Sequence, residues 1–188
     1  MPHPSKANRV APALAAAALT TAACATGPSV ESYAGQTPQL VLEDYFEGQT
    51  TAYGIFEDRF GKVRRTFKVD ITGTVANNQL TLDERFLYND GARETRIWVI
   101  DILGNGQYRG TAGDVPGFAT GEVSGNAFNW KYKVDLKVGD STWNVGFDDW
   151  MYLVEDDVLI NRAYVTRWGI RIGEVSITFV KPDEAAAQ

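Results

Sequence analysis

The stretch Phe128-Asn129-Trp130-Lys131-Tyr132-Lys133-Val134-Asp135-Leu136-Lys137-Val138 alternates from end to end. Phe128, Trp130, Tyr132, Val134, Leu136 and Val138 are apolar. Asn129, Lys131, Lys133, Asp135 and Lys137 are polar or charged. Successive side chains of a β-strand point to opposite faces, so the pattern predicts a strand with one face buried and one in water. On both sides of it, aromatic and β-branched runs recur between short turn signals. The turns are Arg59-Phe60-Gly61-Lys62, Ala76-Asn77-Asn78, Asn89-Asp90-Gly91, Gly104-Asn105-Gly106, Pro116-Gly117, Gly125-Asn126, Gly139-Asp140, Glu155-Asp156-Asp157 and Gly169. They delimit about ten strands and leave no room for a long helix. Short connections make neighbours antiparallel, and an up-and-down meander protects its edges best by closing on itself. The expectation is all-β: a single antiparallel up-and-down β-barrel over residues 41–182, with Val41–Tyr45 as a helical turn or entry strand. Residues 183–188 read as a disordered tail.

The same alternation exposes charges on apolar faces. Val63, Phe67, Val69 and Ile71 share parity with Arg65. Leu80, Leu82, Phe86 and Tyr88 share it with Glu84. Trp143, Val145, Phe147, Met151 and Leu153 share it with Asp149. Val158–Trp168 is apolar on both faces, and its even face would place Arg162 between Ile160 and Tyr164. A buried charge is expensive unless paired or hydrogen-bonded. One reading is an ion-pair network, Arg65 and Arg162 against Glu84 and Asp149, filling the barrel. The other is a polar end to an apolar cavity, where arginine holds the carboxylate or phosphate of an amphiphile. A bulge would turn any of these residues outward.

Residues 1–23 read as a secretory signal. Lys6 and Arg9 precede an uncharged apolar stretch, and small residues lead to Cys24. The stretch is shorter than the roughly 20 residues that span a bilayer. Cys24 is the expected lipidation site, although Thr21 departs from the usual leucine and Ala23-Cys24-Ala25 also fits ordinary signal cleavage. Ala25 points to the outer membrane and its periplasmic face; a soluble periplasmic or secreted protein is the alternative. Gly27, Pro28, Gly35 and Pro38 make residues 24–40 a tether.

The formal charge is −6 over 188 residues, and loss of Lys6 and Arg9 leaves the remainder more acidic still. Such a domain is a poor nucleic-acid binder. Cys24 is the only cysteine and His3 the only histidine, which removes disulfides, Ser-His and Cys-His catalysis and histidine zinc sites. No EF-hand loop is present, and no cofactor or metal is expected. Adjacent Asp148 and Asp149 point to opposite faces of a strand and cannot share a substrate. Trp150 and Tyr152 lie opposite Trp143 and Phe147; left exposed they would mark an interface or a membrane-contacting rim, and the favoured expectation is that Leu40–Phe46 covers them. Gly110, Gly113, Gly117 and Gly121 suggest a loosely packed opening, a lid or a bent edge.

Three groups of residues also carry a resemblance: Phe147-Asp148-Asp149-Trp150-Met151-Tyr152-Leu153, Leu159-Ile160-Asn161-Arg162-Ala163, and Gly173-Glu174-Val175 with Phe179-Val180-Lys181-Pro182. With Tyr45-Phe46-Glu47-Gly48, Asp58-Arg59, Gly61-Lys62 and Tyr88-Asn89-Asp90-Gly91, they resemble a proteobacterial lipoprotein family of unknown function, domain-of-unknown-function family 3833. The resemblance implies a lipocalin-like barrel, a lipid anchor at Cys24 and a gene often encoded beside lipid-modifying genes of the cyclopropane-fatty-acid-synthase type. It implies no established activity.

The function expected is binding or carriage of an apolar or amphiphilic small molecule, such as a fatty acyl chain or modified lipid. Phe67, Phe86, Trp130, Tyr132, Trp143, Phe147 and Met151 would form the wall. Arg65 and Arg162 would take the head group, with Glu84 and Asp149 beside them. Two rivals stay open. One is an envelope structural or assembly protein with a filled barrel. The other is a histidine-free lipid-modifying enzyme using Glu84, Asp149 or a tyrosine.

Overall fold

The computed structural model describes residues 27–182. The expected signal, Cys24 and the expected tail over residues 183–188 lie outside that range. Ten strands follow in order: β1 (Gly48–Asp58), β2 (Val63–Ala76), β3 (Gln79–Tyr88), β4 (Arg93–Gly104), β5 (Gln107–Thr111), β6 (Ala119–Ser124), β7 (Ala127–Val138), β8 (Ser141–Glu155), β9 (Val158–Arg167) and β10 (Ile170–Val180). Each pairs antiparallel with the next. β1 pairs with β10 from Thr51↔Val180 to Asp58↔Gly173, so the sheet closes. An even number of alternating strands leaves the first and last running in opposite directions, and closure needs no crossover. The turns fall where the sequence places them. The β2–β3 hairpin, for example, turns on Asn77 and Asn78 at φ 53° and 58°, the positive φ values that a two-residue type I′ turn requires.

β7 turns Phe128, Trp130, Tyr132, Val134 and Leu136 inward as its alternation dictates. One side of the barrel is tighter than its glycines suggest. β5 and β6 are short, and Trp130 of β7 lies across them. A Cβ on Gly110 would come within 2.7 Å of the Trp130 ring, and one on Gly121 within 2.4 Å. These glycines make room for an indole, which then meets Trp98 of β4 edge-on at 5.6 Å. The expectation of loose packing at Gly110 and Gly121 is corrected accordingly.

The segment ahead of β1 stoppers one end. Helix α1 (Leu42–Phe46) buries Leu42, Tyr45 and Phe46, and Leu40 is buried just before it. Each such side chain is worth about 1.5–3 kcal/mol on burial. Phe46 meets Phe179 edge-on at 5.4 Å. Tyr45 donates to the Phe179 and Asp157 carbonyls at 3.2 Å each, and Tyr108 donates to Glu43 at 2.7 Å. The tether expected over 24–40 is therefore part of the folded body from Val30 onward. A 3-10 helix, Val30–Tyr33, buries Val30 against Ala127 and Trp150. Tyr33 packs on Trp150 and Tyr152 at 6.1 and 5.4 Å. Trp150 and Tyr152 are covered, but by this helix; Leu40–Phe46 goes to the barrel end instead.

The stopper depends on one backbone approach. A Cβ on Gly73 of β2 would lie 1.8 Å from the Phe46 carbonyl oxygen, a clash only backbone movement relieves. Gly73→Ala is expected to cost about 2–3 kcal/mol and to lower the melting temperature by roughly 5–10 °C, read by circular dichroism. An unchanged melting temperature would mean that α1 is not seated on β2.

Candidate functional site

The interior beyond α1 is hollow. A cavity of about 490 Å³ runs from Leu42 and Phe46 at the stopper to Val138 and Ile172 at the opposite end, the mouth. This volume lies in the range of small-molecule sites. All seven wall residues expected from the sequence line it: Phe67, Phe86, Trp130, Tyr132, Trp143, Phe147 and Met151. Arg65, Glu84 and Asp149 line it too. A hollow of about 950 Å³ lies on the outer wall around Tyr53, Leu87 and Ile160, but Arg162 beside it is exposed and Lys68 is paired with Asp70. The chemistry is inside.

Arg162 is a correction. β9 turns Leu159, Asn161, Ala163 and Val165 inward, and Arg162 is exposed with its guanidinium 5.2 Å from the Tyr164 ring. Both faces of β9 are apolar in sequence, so alternation could not choose between them. Energetics does: an exposed Ile160 costs less than an unpaired guanidinium inside the barrel. Asn161 takes the inward position and is almost fully buried.

Arg65 does face inward, at the mouth rather than among the other charges. Its guanidinium lies 3.3 Å from the centre of the Tyr88 ring and pairs with Asp90 at 3.3 Å and Glu94 at 3.9 Å. It pairs with neither Glu84 nor Asp149, so the network expected from the sequence is wired differently. The arginine beside Glu84 is Arg96 of β4, its direct cross-strand neighbour. Arg96 also reaches Asp114 of the β5–β6 loop at 2.5 Å. That loop is pinned over the wall by buried Val115 and by the Asp135 amide, which donates to the Asp114 carbonyl at 2.9 Å. Arg96 shares parity with Trp98 and Ile100, so extending the strand alternation back from Trp98 would have found it. Nothing in the sequence marks Asp114.

Asp149 is 6% exposed and accepts a hydrogen bond from the Tyr132 hydroxyl at 3.1 Å. Asp148 faces outward and accepts from Asn129 at 2.7 Å, so the two aspartates separate as their adjacency requires. Burial pushes both inner acids up. Glu84 rises to about 7, with Arg96 pulling against the desolvation. Asp149 also rises to about 7, with the Tyr132 hydrogen bond opposing the shift. Glu84 keeps some accessible surface, but that surface faces the cavity. Burial also raises the Tyr132 phenol well above its ordinary value. Asp149 Oδ1 and Asn161 Oδ1 are buried acceptors with no partner among the described residues. Both residues line the cavity. The wall thus offers apolar surface, an arginine at the mouth, and deeper acceptors suited to a hydroxyl or N–H.

A closed antiparallel meander around a ligand-sized hollow is a lipocalin-like barrel. The same fold occurs in the S-type phycobiliprotein lyase CPES from Guillardia theta, with a TM-score of 0.55 at 8% identity, covering 76% of this chain and 91% of that one. The chain belongs to the family described as "Protein of unknown function (DUF3833)", whose model matches residues 18–181. No curated protein matches it.

The raised acids fix a pH dependence. An acid whose folded pKa lies above its unfolded value takes up a proton on folding. Its contribution is fully present below about pH 4 and is lost as pH rises through about 7. The acids held low, Asp58, Asp90 and Asp101, act below that window. The melting temperature is therefore expected to fall between pH 5 and pH 8. Asp149→Asn should flatten the fall and raise the value at pH 8 by roughly 5 °C. A profile that is flat, or that rises with pH, would contradict buried acids with these pKa values.

Proposed function

We propose that the barrel binds one apolar or amphiphilic small molecule. Its apolar body lies against Phe67, Phe86, Trp143 and Phe147, and its polar group meets either Arg65 at the mouth or the acceptors of Asp149 and Asn161. The observation that carries this reading is the cavity itself, an aromatic-lined hollow of about 490 Å³ holding a few buried polar atoms without partners. Convergent polar atoms in an apolar hollow are the usual composition of a small-molecule site. A fatty acyl chain or modified lipid fits the shape: narrow, apolar along its length and polar at an end. The hollow also counts against the filled barrel that a purely structural role would use. The signal pattern ending at Cys24 supports a lipid-anchored protein on the periplasmic face of the outer membrane.

One observation favours a second reading. Glu84 and Asp149 sit in a cavity with pKa values near 7, where a general acid or base is most effective. A histidine-free enzyme acting on the bound molecule would use that pair, and Asp149→Asn would then bind its substrate without turnover.

The binding reading is tested by native mass spectrometry with lipid extraction, on protein purified from a bacterial periplasm. One apolar molecule per chain is expected. Ala163→Leu fills the wall beside Asp149, its cross-strand partner, and is expected to fold and emerge empty. A parent protein that emerges empty and takes up no fatty acid would sink the proposal.

A further inference from the structure

The mouth carries a second feature that the cavity does not explain. Four of its five turns end in exposed apolar side chains. Phe60 and Val63 flank the β1–β2 turn, and Phe118 closes the β5–β6 loop. Val138 enters the β7–β8 turn, and Trp168 and Ile170 flank the β9–β10 turn. Phe60 is 79% exposed and Trp168 83%. Trp168 is also held at φ 53°, a conformation costly for a bulky residue and cheap for asparagine or glycine. Packing within the chain does not require an indole at such a tip.

Each exposed ring has an arginine on it: Arg59 on Phe60 at 4.6 Å, Arg109 on Phe118 at 5.9 Å and Arg167 on Trp168 at 4.0 Å. Arg167 also lies 3.8 Å from the Trp143 ring of the cavity wall, so tip and lip are joined. Arg59, Lys62, Arg93 and Arg167 at this end lie within 4 Å of no carboxylate among the described residues. Of the acids at these turns, Asp58, Asp90 and Asp114 are taken up by Arg64, Arg65 and Arg96, and Asp140 is left without an ion-pair partner among the described residues. At the stoppered end acids predominate: Glu43, Asp44 and Glu47 in and beside α1, and Glu155, Asp156 and Asp157 in one turn, with Lys181 the basic side chain among them. The rim of an acidic chain thus combines basic groups that make no ion pair among the described residues with the exposed rings of Phe60, Phe118 and Trp168.

Aromatic side chains settle at the headgroup level of bilayers, and basic side chains beside them meet anionic headgroups. We propose that the mouth docks on an anionic lipid surface, with Phe60, Phe118 and Trp168 entering the headgroup layer and the cavity opening toward it. The inference rests on the rim alone; an empty barrel would leave it standing.

The test uses the full chain carrying Cys24→Ser, which removes both the acylation site and the only native thiol. An environment-sensitive dye is attached through Ile170→Cys at the mouth or Asp156→Cys at the stoppered end. Vesicles of phosphatidylglycerol and phosphatidylcholine are expected to shift the mouth dye to the blue and leave the other dye unchanged. Pure phosphatidylcholine vesicles or high salt should weaken the response. Phe60→Ser with Trp168→Ser should reduce partitioning at least about tenfold, given the apolar area removed. A silent mouth dye, or equal response of both dyes, would overturn the proposal. So would an unchanged double variant, or a mouth response to protein concentration without vesicles, which would make the rim a contact between copies of this chain.

Discussion

Closure of the sheet through β1 and β10 is the constraint from which the rest follows. Once Thr51–Asp58 pairs with Gly173–Val180, no edge is left to cover, and every strand must commit alternate residues to a common interior. Ten strands enclose more space than their inward side chains fill. The chain deals with the excess differently at its two ends. At one end α1 enters and is held by Phe46 on Phe179 and by the hydroxyls of Tyr45 and Tyr108. At the other the interior stays hollow. Trp130, seated over Gly110 and Gly121, fills one side and leaves the hollow against the rest of the wall.

Charge inside such a barrel has to be disposed of locally. Arg96 is divided between Glu84 across the strand pair and Asp114 from the loop above. The remaining acid, Asp149, has the Tyr132 hydroxyl. There are more buried carboxyls than cations here, and desolvation raises the pKa values of Glu84 and Asp149 to about 7. Protonated carboxyls can sit in an apolar wall at far lower cost than carboxylates. The cavity can therefore be aromatic and carry acids at the same time. Its wall presents hydrogen-bonding groups to the hollow, while the guanidinium of Arg65 stands at the entrance.

Much of this was legible in the sequence because strand alternation has a strict period and turns have distinctive residues. The turns follow from their residues, the barrel from the short connections between them, and the seven wall residues with the inward Arg65, Glu84 and Asp149 from parity. Parity failed where it carried no information. β9 is apolar on both faces, which hid the choice between Asn161 and Arg162. The charged start of β4 masked Arg96, although Trp98 and Ile100 share its face. Contacts between elements distant in sequence left no local mark: Asp114 on Arg96, Val30–Tyr33 on Trp150, and α1 in the barrel end. The glycines of β5 and β6 misled for a related reason. A missing Cβ reads as looseness until the side chain that occupies its space is known.

The molecule is a stoppered β-barrel with a hollow interior and a mouth bordered by aromatic and basic residues, and the proposed function is uptake of an apolar chain through that mouth. Trp98 and Trp130 are buried in the wall and Trp143 lines it near the mouth, so the interior reports its own occupancy. The direct measurement is quenching of intrinsic tryptophan fluorescence during titration with a bromine-bearing fatty acyl probe. Quenching is expected to saturate at one equivalent. Absent quenching, or quenching that grows without saturation, would contradict a hollow barrel that binds one apolar chain.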